Sequence, residues 1–137
     1  METQLFLNLP VKDLKRSVEF FTALGFTFDP KFTDEKATCM IVGKDIFVML
    51  LMEEFFQTFT KKPIADAHKT TEALMAISVG SRQAVDEMIE KARGAGAVLY
   101  EKNDQGFMYT HDFEDLDGHI WEIFYMDSAA FDTLSEK

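Results

Sequence analysis

Cysteine and positive charge are what this chain has least of. One cysteine, Cys39, in 137 residues leaves no internal disulfide framework and no zinc cluster built on several thiolates. It sits in the apolar run 37–42 and reads as a small buried hydrophobe rather than a nucleophile. Lys and Arg number 14 against 24 Asp and Glu, a formal charge of −10, and the basic residues form no stripe. Such a surface repels phosphate backbones, which argues against nucleic acid as a partner. Long apolar runs are missing as well. The longest, 46–52, is strand-sized, so no membrane association is expected. The first residues lack the basic, apolar, small-residue order of a secretory signal, and a reducing cytoplasm is the expected location.

What the chain does have is apolar mass. Hydrophobic residues make up 47% of it, with 14 phenylalanines, so a disordered chain is excluded and one domain over 1–137 is expected. The same order of elements reads twice. Residues 4–11 alternate as a strand, Asp13 is placed to cap a helix to about Leu24, and Gly25 ends it. Leu14, Val18 and Phe21 form that helix's apolar stripe. Strands over 26–30, 36–42 and 45–52 follow, the last two joined by a two-residue type II′ connection at Gly43-Lys44. The second half restarts with a strand over 73–79 and a helix capped by Ser81, with Glu87–Lys91 as an i,i+4 pair. Strands over 98–102, 107–113 and 119–126 complete it. Aligning Val11 with Val79 also aligns the two caps, Asp13 and Ser81. Module one therefore spans about 1–52, module two about 72–127, with a linker at 53–71 and a tail at 128–137. Phe55, Phe56 and Phe59 suggest a short amphipathic turn in the linker, and Phe131 a tether for the tail.

The last hairpin holds the most chemical information. Asp117-Gly118 suits a type I′ turn, and a strand of bulky apolar residues broken by Glu122 follows. A lone acid in such a strand costs free energy unless water, a partner or a ligand meets it. On the alternation of that strand, Ile120 and Phe124 share its face, while His119, Trp121, Ile123 and Tyr125 lie opposite.

Two stretches, Leu-Pro-Val-Lys-Asp-Leu-Lys-Arg-Ser-Val-Glu-Phe-Phe-Thr-Ala-Leu-Gly-Phe at 9–26 and Asp-Leu-Asp-Gly-His-Ile-Trp-Glu-Ile at 115–123, resemble the vicinal-oxygen-chelate superfamily. That group includes glyoxalase I, bleomycin-resistance proteins, extradiol dioxygenases and fosfomycin-resistance enzymes. The resemblance implies an α+β fold: two βαβββ modules forming an open, curved, eight-stranded mixed sheet around a cleft, helices on the outer face. It also implies four metal-ligand positions, which in glyoxalase I hold His or Gln, Glu, His and Glu. Here those positions fall on Phe6, Met49, Leu74 and Glu122. Three of the four side chains are poor ligands for zinc, nickel or iron, so no metal or other cofactor is expected.

By the same module analogy the cleft-facing residues are Phe6, Asn8, Phe47, Met49, Leu74, Ser78 and Phe124, with Glu122 among them. Apolar walls with a few polar points suit a small, partly hydrophobic molecule, bound or modified beside Glu122. Three functions remain open. One is a metal-independent binding protein of the bleomycin-resistance kind. Another is a glyoxalase-type lyase or isomerase with a noncanonical site of Glu122, His111 and Tyr109; those last two share a face that the sequence does not specify. The third is an interaction module whose cleft is filled by its own aromatics. The resemblance further implies a homodimer.

Overall fold

The computed structural model describes residues 2–129, so the expected tether at Phe131 lies outside the described residues. The chain divides into two compact units, 1–66 and 67–137.

The first unit holds β1 (Leu5–Val11), α1 (Leu14–Ala23), β2 (Thr27–Asp29), β3 (Ala37–Gly43) and β4 (Ile46–Met52), then a single turn, α2 (Glu53–Phe56). Its four-stranded sheet has the order β1-β4-β3-β2, with β1 parallel to β4 and the other pairs antiparallel. The Asp13 carboxylate caps α1 by accepting from the Arg16 amide at 3.2 Å. The buried stripe of α1 is Ser17, Phe20 and Phe21, followed by Leu24, a quarter-turn from the expected Leu14–Val18–Phe21 line. The physical reason is area: two adjacent phenylalanines remove more apolar surface from water than Leu14 and Val18. Val11, Met40, Val48 and Leu50 are buried in this unit's strands. The expected type II′ connection is absent, because Gly43 stays in β3 with an ordinary φ and the loop residues are Lys44 and Asp45. A register shift between Ile41 and Gly43 bends the strand instead.

The second unit holds β5 (Leu74–Ser78), α3 (Arg82–Gly94), β6 (Val98–Leu99), β7 (Asn103–Asp104), β8 (Met108–Glu114) and β9 (Ile120–Met126). Its order is β5-β9-β8-β6, with β7 also on β8 and β5 parallel to β9. Ser81 caps α3, its hydroxyl oxygen accepting from the Ala84 amide at 3.0 Å. Val85, Ile89 and Ala92 form the buried stripe, and α3 packs on β8 and β9, whose Phe113, Trp121 and Ile123 are buried. Glu87 accepts from Gln83 rather than pairing with Lys91. The strand expected over 98–102 stops at Leu99, because the pairing with β8 slips by one residue before β7, which lies beyond it at 103–104. Arg82 grips the β7 end. Its guanidinium donates to both Asp104 carboxylate oxygens, at 2.7 and 3.0 Å, and to the Gly106 carbonyl at 2.9 Å. The α+β architecture of two βαβββ-type modules is thus present, as two open mixed sheets of four and five strands in place of one eight-stranded sheet. Among the described residues no helix is long and apolar enough to cross a membrane.

Candidate functional site

The β8–β9 hairpin decides which side chains meet Glu122. Its loop is not the two-residue type I′ turn expected at Asp117-Gly118. The Gly118 amide donates to the Asp115 carbonyl at 3.1 Å, the Asp115 amide donates to the His119 carbonyl at 2.9 Å, and only Gly118 has positive φ, at 89°. Those features describe a three-residue loop: a type I turn followed by a glycine bulge. Asp115, which the sequence reading passed over, holds it together. One of its carboxylate oxygens accepts from the Asp117 and His119 amides at 2.9 and 3.0 Å, and the other from the Trp121 indole N–H at 2.9 Å. Burial pushes the Asp115 carboxyl up, while His119, the indole and the Asp117 amide pull it back.

This loop puts Asp112 directly opposite Glu122, and Thr110 opposite Phe124. On the other side of β9, Ala76 of β5 stands opposite Glu122, flanked by Leu74 beside Ile120 and Ser78 beside Phe124. One sheet face therefore carries Leu74, Ala76, Ser78, Ile120, Glu122, Phe124, Thr110 and Asp112. Glu122 and Asp112 are half-buried, whereas Leu74 is 56% exposed. Among the described residues no donor hydrogen-bonds or ion-pairs with the Glu122 or Asp112 carboxylate. Burial pushes the Glu122 carboxyl above its ordinary value, and the neighbouring Asp112 charge pushes it the same way. Asp112 is also raised by burial, with His111 pulling it down.

His111 and Tyr109 lie on the opposite face, which corrects the expected acid–base constellation. His111 pairs with Ile123, and its Nε2 lies 2.8 Å from the Tyr100 carbonyl oxygen. Tyr109 is 6% exposed and packs toward α3, its hydroxyl donating to Asp86 at 2.5 Å with the Arg82 guanidinium 5.0 Å over its ring. The Asp86 hydrogen bond and then burial raise the Tyr109 hydroxyl pKa. Alternation allows no other outcome once Asp112 faces Glu122, since 109, 111 and 113 must point the other way.

In the first unit, register places Phe6 beside Phe47 and Asn8 beside Met49, all on one face of the sheet. The Phe6 and Phe47 rings stack at 4.8 Å and 18°, and Phe6 remains 41% exposed. Further along this face Leu51, Cys39 and Ala37 are buried.

Of the four positions that the family resemblance assigns to a metal, Phe6 offers a benzene ring, Met49 a thioether and Leu74 an aliphatic chain. Only Glu122 offers an oxygen donor. Zinc, nickel and iron take several nitrogen, oxygen or thiolate donors, so this set does not fit them. Among the described residues no three His, Cys, Asp or Glu side chains converge as a metal centre.

Comparison with known proteins agrees with this architecture. Residues 3–43 match the family model described as Bleomycin resistance protein-like N-terminal. A hypothetical protein from S. aureus has 26% identity and a TM-score of 0.78 over 91% of this chain and 95% of that one. A glyoxalase/bleomycin resistance protein/dioxygenase family enzyme from Burkholderia phytofirmans has 15% identity and a TM-score of 0.75, covering 91% and 99%. Fosfomycin resistance protein FosX from Mesorhizobium loti has 14% identity and a TM-score of 0.67, covering 91% and 92%. No curated protein matches the sequence. Repeated βαβββ units with parallel outer strands are the architecture of the glyoxalase and bleomycin-resistance proteins. This chain shares that fold over nearly its whole length, and over residues 3–43 its sequence resembles the bleomycin-resistance-like family.

Proposed function

We propose that this protein binds a small, partly hydrophobic organic molecule at the sheet face carrying Glu122, without a metal at the position its relatives use. The carrying observation is Glu122 itself. A half-buried carboxylate among Ile120, Phe124, Ala76 and Leu74, with no hydrogen-bond or ion-pair partner among the described residues, is costly to keep and useful only to something that meets it. Ser78 and Thr110 supply neutral hydrogen-bonding groups on the same face. In the first unit, considered by itself, Phe6, Asn8, Phe47 and Met49 share a largely apolar sheet face that we count as further ligand-binding surface. On this reading the two units work as one domain, as a homodimer in a reducing cytoplasm, which suits the single buried Cys39.

A thermal-shift screen over hydrophobic amines, amides and aromatic acids tests the reading. At a hundredfold excess over Kd a ligand of the native state adds about 2.7 kcal/mol. That raises Tm by several degrees, and Glu122→Gln is expected to remove most of the rise. A screen without any stabilising compound, or a ligand whose shift survives Glu122→Gln, would falsify the assignment. So would near-stoichiometric zinc, nickel or iron in the purified protein that chelators remove together with the ligand response.

A further inference from the structure

We propose that Asp112 is a positioning residue for Glu122: lying directly opposite it on the same sheet face, it makes the two carboxyls titrate as one unit and so sets the charge with which Glu122 meets a ligand. This inference rests on the reading of Glu122 as a binding group and adds the regulation of that group.

The register carries the argument. Asp112 and Glu122 are Cα partners across β8 and β9, and directly opposed side chains on one sheet face have Cβ atoms about 4.5–5.5 Å apart. Like charges at that separation disfavour each other, and partial burial leaves less water to screen them. No cation on a neighbouring strand of this sheet relieves the pair. On β5 the facing residues are Leu74, Ala76 and Ser78; on β9 they are Ile120 and Phe124. On β8 the next residue on the face is Glu114, also acidic. Past the end of β6, Tyr100 stands beside Asp112, its amide donating to the Asp112 carbonyl at 3.0 Å and its hydroxyl to Glu114 at 2.7 Å, so it adds a neutral group and no cation. His111, behind Asp112, is the one opposing influence on that carboxyl. After burial, the Asp112 charge is what raises the Glu122 carboxyl.

Two carboxyls so placed hold one proton between them over part of the pH range. In that form the face presents one O–H donor beside one negative charge. When the proton leaves, it presents two negative charges and favours a cationic group. The proton returns to bulk water, and no other group needs to accept it. A site with Glu122 alone would pass through a single step at lower pH, so Asp112 shifts and broadens the range over which the face changes character.

Carboxyl-carbon NMR titration of the full chain, with labelled Asp and Glu, tests this without any ligand. The wild-type Glu122 signal is expected to titrate above the ordinary glutamate range in two steps. In Asp112→Asn it should move to lower pH in one step, and in Glu122→Gln the Asp112 signal should move down as well. Asp112→Glu should keep the two-step curve. A merely structural role for Asp112 would change stability and leave the Glu122 curve in place. An unchanged Glu122 midpoint in Asp112→Asn, or, if that variant does not fold, an unchanged Asp112 midpoint in Glu122→Gln, overturns the proposal. Because no ligand enters, this result is separable from the ligand screen: the carboxyls can couple where nothing binds, and a ligand can bind where they do not couple.

Discussion

At the residue scale the chain keeps most of its polar groups satisfied and leaves one pair strained. Tyr109 donates to Asp86, and Arg82 forks onto Asp104, whose carboxyl is held down at about 2 by that guanidinium and the Gly106 amide. Asp112 and Glu122 have no comparable support, and both are raised by burial. The sign of the consequence follows from that direction. A carboxyl whose folded pKa lies above its unfolded one favours the native state while protonated, and that contribution fades as pH climbs through the folded pKa. The Asp112–Glu122 pair therefore costs stability at pH 7 and not in acid. Asp112→Asn is expected to stabilise the protein at pH 7 by about 0.2–1 kcal/mol, the usual size of a directly opposed cross-strand charge effect. The gain should shrink toward zero near pH 3. Urea denaturation followed by the fluorescence of Trp121 at both pH values measures it. Equal changes at the two pH values, or a loss at pH 7, would show that packing outweighs repulsion here.

At the element scale one turn separates what the sequence disclosed from what it hid. Both helix caps and the buried line of α3 follow from local rules: Asp13 and Ser81 as caps, and Val85, Ile89 and Ala92 at helical spacing. The face shared with Glu122 does not. A two-residue Asp117-Gly118 loop would set Phe113 opposite Glu122 and bring His111 and Tyr109 to its side. The actual loop has one residue more, and a slip of one position turns every β8 side chain to the other face. Asp115 causes the difference by gathering two amides and the Trp121 indole, a three-dimensional arrangement that dipeptide turn preferences do not encode. Asp112 was readable only through that register. Gly118 is tied to the same loop for two reasons, its φ of 89° and the approach of the linker. A Cβ there would stand 2.7 Å from the His68 amide nitrogen and 2.8 Å from the Ala67 carbonyl carbon. Gly25 has φ of 103° but open space around it. Gly25→Ala should therefore cost only the conformational penalty, about 1–2 kcal/mol. Gly118→Ala should cost more, because backbone must also move. Equal losses in thermal melts of the two variants would mean that the linker yields freely at the turn.

At the scale of the whole molecule, charge acts as a background against which the local pairs are small. The formal charge is −10. The ion pairs among the described residues, Lys44–Glu2, Arg82–Asp104 and Arg93–Glu90, all involve well-exposed side chains. Exposed pairs of this kind contribute little, typically about 0–1 kcal/mol. Self-repulsion of an acidic surface opposes compaction, and mobile ions weaken it over a Debye length of about 10 Å at 0.1 M. Attractive pairs would be weakened by the same ions, so the direction of the salt response tells which contribution is larger. With ten uncompensated charges and three exposed pairs, repulsion should win. Raising sodium chloride from about 20 to about 200 mM at pH 7 is expected to increase Tm by roughly 1–3 °C, using the few degrees per kcal/mol typical of a domain this size. The increase should vanish near the isoelectric point, where net repulsion is gone and only the pairs remain to be screened. A Tm that falls with salt at pH 7 would mean that specific attractions, rather than the acidic excess, dominate this molecule's electrostatics.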